Sequence, residues 1–299
     1  SNQCLNDPIY IENDFSSFDA TVCVNLLKSC HKFVLQYIPK EHKNIMRWAL
    51  RFDRKPRGYT TSGRPYMTVG TITSGSIDTS FKGNYINYIT TMSILRFSGI
   101  PDNKFKFICN GDDSVLFVER DVMHLIDFTK FELFGLNAKT IVKYNYEEIE
   151  FCQAHPLKFG NVNVLVRDPI RCFTRLGWIV RNIGIRANLD YVKTVVMGEM
   201  ALNYQVPIIY PMLRKIYHSL KGKINLNLFT SYIQDTYQNA FWRLDTPYVG
   251  DPEWDDIILR TFPDFQAYIF NIDSPDHESD WIAYEELLSS YNLISNYVG

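Results

Sequence analysis

Two carboxylates stand side by side in Asn110-Gly111-Asp112-Asp113-Ser114. Adjacent acids at a tight turn repel each other, and burying them without a counter-charge is costly. A divalent cation resolves that conflict, and oxygen ligands on a rigid turn suit Mg²⁺. Gly111 frees the backbone to bend and lets a substrate come close. The plain alternative is an exposed Asx-type turn, a common feature, so this run is weak evidence alone. A second pair occurs in Asp14-Phe15-Ser16-Ser17-Phe18-Asp19. Five residues apart, its two acids fall on opposite faces of a regular strand and about 140° apart on a helix. They converge only if a strand gives way to a turn between them. Asp14 would then end a strand beside the 110–114 turn, and Asp19 would sit over the substrate, with Phe15 and Phe18 anchoring the turn. Asp19 as an ordinary N-cap is the structural alternative, and the two roles are compatible.

A third run, Thr73-Ser74-Gly75-Ser76-Ile77-Asp78-Thr79-Ser80-Phe81-Lys82-Gly83-Asn84, reads as a small flexible loop entering a helix. Its Ser, Thr and Asn side chains can hydrogen-bond a ribose hydroxyl or a nucleic-acid backbone. Singly, Ser74 or Asp78 serves equally well as a helix cap.

These residues need elements to position them. The pattern predicts a short strand over 8–12, leading into Asp14, and a helix over 20–37 with one apolar face. Residues 53–73, rich in Gly, Pro, Thr and Ser, read as loop or short β-structure. A helix should run from Ser74-Gly75 through Asn84 to about Phe97, where Gly99 and Pro101 stop it. Two β-rich runs, 104–109 and 114–118, flank Asn110-Gly111, a strong hairpin signal. An amphipathic helix over 121–134 should end at Gly135. Strands follow at 149–153 and 162–166, and from Asn188 the pattern turns helical. A boundary near 170–187 thus splits a mixed α+β part from a mainly α part.

The chain has 299 residues, 46% of them hydrophobic and 21% charged, an ordinary globular composition. No apolar run reaches the length of a membrane-spanning helix. The six cysteines are scattered, without zinc-ligand spacing, and read as free thiols. The net charge of −2 hides a split: eight basic residues between Lys40 and Arg64 face only Glu41 and Asp53, while eleven acidic residues between Asp251 and Glu286 face only Arg260. The basic run could track a phosphate backbone, and the acidic one should face away from any nucleic acid.

Asp-x4-Asp after a strand, then Ser-Gly before a helix, then a Gly-Asp-Asp hairpin, resembles motifs A, B and C of the viral RNA-dependent RNA polymerase palm. Gly-Asp-Asp favours this family over reverse transcriptases. Phe134-Gly135-Leu136-Asn137-Ala138-Lys139 is similar to motif D. Glu150-Phe151-Cys152-Gln153-Ala154-His155-Pro156, followed by Leu165-Val166-Arg167-Asp168-Pro169, is similar to motif E of the tombusvirus-like group. The match covers roughly residues 8–169.

The resemblance implies an α+β fold: a palm of antiparallel sheet with flanking helices over 1–175, holding a partial fingers insertion at about 38–73, then a mainly α-helical thumb over 176–299. It implies RNA-templated RNA synthesis with two Mg²⁺ (or Mn²⁺) ions, which activate the primer oxygen and stabilise the leaving pyrophosphate. Asp14 and Asp112 would bind the metals, with Asp113 supporting. Asp19, Ser74, Gly75, Thr79 and Asn84 would contact substrate, most of them near the ribose 2′-hydroxyl. Lys139 would protonate pyrophosphate, with Lys143 in reserve, and Cys152 and Gln153 would lie near the primer. Implied partners are template and primer RNA, nucleoside triphosphates and other replicase components, in a membrane-associated replication complex of the host cytoplasm.

Two departures matter. The family pattern has three residues between the motif B Thr and Asn, whereas four separate Thr79 from Asn84. An extra residue in the loop would give Ser80 the Thr place; one inside the helix would need a π-type bulge, and the loop is preferred. Only 13 residues precede Asp14, where the family carries long fingers. The expectation is a chain that binds metal and some RNA but polymerises poorly alone. The competing classes are a non-catalytic RNA- or partner-binding part of a replicase and, last, a metal-dependent phosphoesterase.

Overall fold

The computed structural model describes residues 4–73, 76–176, 185–224, 250–251 and 253–265. The chain divides into two compact units, Ser1–Cys152 and Gln153–Gly299.

The first unit is built on a four-stranded antiparallel sheet in the order β4-β5-β1-β6, with β1 Pro8–Phe15, β4 Phe105–Asn110, β5 Asp113–Glu119 and β6 Ala138–Lys143. Strand alternation gives the sheet two faces. Ile9, Ile11 and Phe15 of β1 and Leu116 and Val118 of β5 are buried in one core. Helix α2, Val24–Tyr37, adds Leu26 and Leu27 to that core, and α4, Thr79–Phe97, adds Ile86, Ile94 and Leu95. Each such side chain contributes about 1.5–3 kcal/mol through burial. The other face carries Tyr10, Glu12 and Asp14; it is open at Asp14, which is exposed, while Val115 of β5, beside Glu12, is buried.

The helix expected over 20–37 is split into α1, Phe18–Thr21, and α2. The carbonyls at the break are taken by an incoming loop: Thr71 donates to Val22 O (2.7 Å) and Ile72 to Asp19 O (2.8 Å). Gly70, at φ +82°, passes so close that a Cβ there would lie 2.7 Å from Val22 O. Between α2 and that loop come α3, Lys43–Asp53, and a small hairpin of β2, Arg57–Tyr59, and β3, Pro65–Met67.

Two other expectations need correction. Residues 121–134 do not form one amphipathic helix but two 3-10 segments, Arg120–Leu125 and Phe128–Phe134. The Asp127 side chain accepts from Thr129 N and restarts the chain there, and Gly135 (φ +78°) ends it. Residues 149–153 are not a strand: Cys152 and Gln153 both adopt left-handed backbone (φ +53° and +63°), and the strand lies later, at β7, Ala154–Phe159. Strand β6 was not expected at all.

In the second unit β7 pairs antiparallel with β8, Val162–Arg167. Helix α5, Pro169–Arg175, follows at once, with Asp168 as N-cap accepting from Ile170 N (2.9 Å) and proline in its first turn. Helices α6 (Ile185–Leu202), α7 (Ile209–Ser219) and α8 (Glu253–Thr261) complete the described part. Val196, Met197, Met200, Tyr210, Leu213 and Ile258 form a separate core with the hairpin. Most of the acidic stretch beyond Asp251 lies outside the described residues.

Candidate active site

On the open face, strand pairing lays the sequence-distant acids in one row. Asn110 of β4 is opposite Asp113 of β5, and Asp14 of β1 is opposite Lys139 of β6. The β1–β5 register pairs Ile11 with Leu116 and Glu12 with Val115; two residues further along, Asp14 comes beside Asp113. The row across the sheet is therefore Asn110, Asp113, Asp14, Lys139. Cross-strand neighbours share a face with Cβ atoms about 4.5–5.5 Å apart, close enough for like charges to repel strongly.

That repulsion is visible at Asp113. Burial raises its pKa above the ordinary carboxylate value, and the charges of Asp112, Glu150 and Asp14 add to the rise. Glu150 was not expected at the site. It arrives because the segment after β6 folds back over the open face: Tyr146 packs edge-on against Tyr10 (6.4 Å between ring centres), and Glu150 N donates to Glu12 Oε1 (2.6 Å). The same segment brings Cys152 to the row, where Asn110 Nδ2 donates to Cys152 Sγ (3.3 Å).

The Gly111-Asp112 turn is held from α4. Asn84 Oδ1 accepts the Gly111 N–H (2.7 Å), and Asn87 Nδ2 donates to both Gly111 O and Asp112 O (3.0 Å each). A Cβ at Gly83 would come within 3.1 Å of Gly111 Cα, so the helix and the turn touch backbone to backbone. Asn87 and Gly83 were missed in the sequence. Asn87 lies one helical turn from both Gly83 and Asn84, and that spacing was the available signal.

Helix α4 is α-helical from Thr79 to Phe97, so the extra residue noted between Thr79 and Asn84 makes no π-bulge. Thr79 Oγ1 donates to Thr73 O and to Ser76 O (2.9 Å each), closing the loop onto the helix start. With Ile72 bonded to Asp19 O, this brings the Asp19 turn and the Thr73–Thr79 loop together. Ser74 and Gly75 lie outside the described residues. Lys143 sits beside Tyr10, four residues along β6 from Lys139. Gln153 opens the second unit.

Beneath α4 lies a buried ion-pair network that sequence reading also missed. Lys82 is 1% exposed and its Nζ meets Asp53 Oδ1 (2.5 Å) and Asp78 Oδ1 (2.8 Å), while His31 Nε2 contacts Asp53 Oδ2 (2.7 Å). Burial alone would raise the Asp53 pKa, but its bonds to His31 and Lys82 outweigh this and hold it low. Burial likewise opposes the Lys82 charge, and its bonds to Asp53 and Asp78 raise its pKa nonetheless. The network ties α2, α3 and α4 together.

A profile of the family described as viral RNA dependent RNA polymerase matches residues 3–244. The chain belongs to this family. It is 32% identical over 215 residues to an RNA-directed RNA polymerase of Tomato bushy stunt virus (strain Cherry), and 31% identical over 215 residues to that of Cucumber necrosis virus. In both cases the match takes in 69% of the chain but 26% of the relative. A genome polyprotein of Classical swine fever virus is 24% identical over 227 residues, 69% of the chain and 6% of the polyprotein. The chain thus spans about a quarter of the length of the tombusvirus relatives, and its polymerase family is tombusvirus-like.

A divalent cation fits the donor set of this viral polymerase chain only in part. Among the described residues no group of three or more His, Cys, Asp or Glu side chains is gathered closely enough to hold a metal ion. Asp112 belongs to the turn and Asp113 to the strand, whose register sets Asp113 in the row with Asp14. Mg²⁺ keeps several waters and takes one or two protein carboxylates plus substrate phosphates, so a complete protein cage is not required. The all-oxygen donors and the excess negative charge at Asp113 fit such an ion. Among the described residues no helix is long and apolar enough to cross a membrane.

Proposed function

We propose that this chain carries the catalytic palm of an RNA-templated RNA polymerase, with the first unit as palm and the helices of the second as the start of a thumb. The observation that carries this reading is the row Asn110, Asp113, Asp14, Lys139, with its mutual carboxylate repulsion. Asp14, Asp112 and Asp113 would hold two Mg²⁺ or Mn²⁺ ions together with substrate phosphates. When bound, such ions polarise a phosphoryl oxygen and lower the pKa of a bound hydroxyl. Lys139, the cross-strand partner of Asp14, would deliver a proton to departing pyrophosphate. Asp19, Ser74, Gly75 and Thr79 would line the ribose side. Asn84 would reach a ribose hydroxyl through Nδ2, because its Oδ1 holds Gly111. Cys152 and Gln153 would meet the primer strand.

The tombusvirus relatives, RNA-directed RNA polymerases by name, support RNA and nucleoside triphosphates as substrates; other replicase components as partners, and a membrane-associated replication complex in the host cytoplasm as the setting, are part of the proposal. Because the chain spans a quarter of those relatives, the fingers would come from sequence outside it. The test is incorporation of labelled nucleotides on an RNA template with Mg²⁺ or Mn²⁺, by the longest available parent protein and its Asp112→Asn variant. We expect a fall of about a hundredfold or more, equivalent to roughly 2.7 kcal/mol of barrier. Equal incorporation by the two proteins would sink the mechanism. In the second reading, a non-catalytic RNA-binding part of a replicase, the parent would bind RNA and incorporate nothing.

A further inference from the structure

Helices α2 and α3 enclose a groove of about 470 Å³ whose walls carry Lys28, Lys32, Lys43, Arg47, Arg51 and Arg54, and no carboxylate lines it. On α2 the two lysines are four residues apart, and on α3 Lys43, Arg47 and Arg51 repeat at the same interval, so two cationic stripes face each other. Among the described residues none of the six is in an ion pair; Arg47 bonds only the amide oxygen of Asn44 (3.0 Å). Asp53, the acid at the end of α3, is committed to Lys82 and His31. Six like charges kept at close quarters repel one another, and a polyanion relieves this. Leu26 and Leu27 of α2 are buried beneath the sheet, so the groove lies on the helical side and the carboxylate row on the other.

We propose that the α2–α3 groove is a second RNA site, which binds the phosphate backbone of a single strand apart from the catalytic row. The α3 stripe runs for about 12 Å, enough for two or three consecutive phosphates. Ile45, Trp48 and Phe52 are exposed on α3, a composition that also suits an anionic membrane surface. A chain of phosphates is favoured because the cations line a concave groove formed by two helices, which a chain can follow and a plane of headgroups cannot enter.

The proposal rests on RNA being the polymer this chain handles, but it is read by binding, independently of synthesis. The affinity of the 299-residue chain for an unstructured fluorescent oligouridylate is measured against salt concentration. Each phosphate contact on a single strand contributes about 0.7 to the slope of log K on log[salt]. The Lys28→Gln/Lys32→Gln/Arg47→Gln/Arg51→Gln variant is expected to lose about 3 from that slope, and Lys28→Gln/Lys32→Gln alone about 1.4. The paired variant serves if the fourfold one does not fold. Lys158→Gln/Lys221→Gln, with two exposed lysines elsewhere, is expected to leave the slope unchanged. An unchanged slope in the groove variants overturns the proposal, as does an equal loss in the control pair. Loss of binding to phosphatidylserine vesicles with RNA binding intact overturns it in favour of a membrane surface.

Discussion

Replacing Asn87 tests the hold of α4 on the Gly111-Asp112 turn. The side chain is fully buried, donates to Gly111 O and Asp112 O at 3.0 Å each, and accepts from Thr91 Oγ1 at 3.3 Å. Asn87→Ala removes all three bonds. A hydrogen bond contributes about 0.5–1.5 kcal/mol net, and an orphaned buried group costs about 1–3 kcal/mol. Thr91, 1% exposed, becomes such a group, while the two turn carbonyls regain some water. The loss should be about 3 kcal/mol. For a cooperative unit of this size that lowers Tm by roughly 6–12 °C. Asn87→Asp keeps the shape but turns both donors into an acceptor facing two carbonyls. It should be worse than alanine at neutral pH and partly recover as the new carboxyl protonates in acid. Thermal unfolding followed by circular dichroism measures both. Melting of Asn87→Ala within about 1 °C of the parent would show that the turn stands without the helix, and the account of the site would fail.

Four further outcomes are expected. Because the Asp113 pKa is raised, its ionised form strains the folded state, so the penalty is absent below the ordinary value of 3.8 and grows as pH rises through the shifted one. Asp113→Asn should therefore stabilise at pH 7, by about 0.5 kcal/mol for so exposed a group, and have no effect near pH 3; destabilisation at pH 7 would refute the repulsion. Asp53→Asn leaves Lys82 buried without its main partner and should cost about 3–5 kcal/mol by chemical denaturation. The low Asp53 pKa stabilises above 3.8 and is lost in acid below it, whereas the raised Lys82 pKa stabilises below 10.5 and is lost in alkali, so the network should fail at both extremes. Burial pushes the Cys30 thiol up to about 11, so Cys30 should resist alkylation at pH 8 while exposed Cys4 and Cys23 react, as peptide mass mapping would reveal.

The hairpin, the strand before Asp14 and the α4 helix were legible because each carries a local signal: Asn-Gly between β-rich runs, apolar alternation, a small-residue entry and a glycine stop. That Asp14 belongs beside the Gly-Asp-Asp hairpin was legible only through the order of motifs, since the pairing is long-range; the resemblance matched Asp14 with Asp112, whereas the strand register sets Asp113 in its row. What was missed is non-local or irregular. Edge strand β6, Ala-Lys-Thr-Ile-Val-Lys, is half-buried along nearly its whole length and shows no alternation. Residues 121–134 have helical spacing, but Asp127 restarts the chain. In 149–153 Ile149 and Phe151 alternate with Glu150 and Cys152 like a strand, yet the chain turns left-handed there. The roles of Lys82 and Asp53 could not be read, because 29 residues separate partners that only tertiary packing joins.

The grip of Asn84 and Asn87 on Gly111 has a consequence for motion. A hairpin tip is ordinarily the first part of a sheet to open, and its amides exchange with solvent within local fluctuations. Here the tip's N–H and two of its carbonyls are tied to a nineteen-residue helix. The Gly111 amide should therefore exchange as slowly as the interior of α4, and the tip carrying Asp112 should travel with that helix as one body.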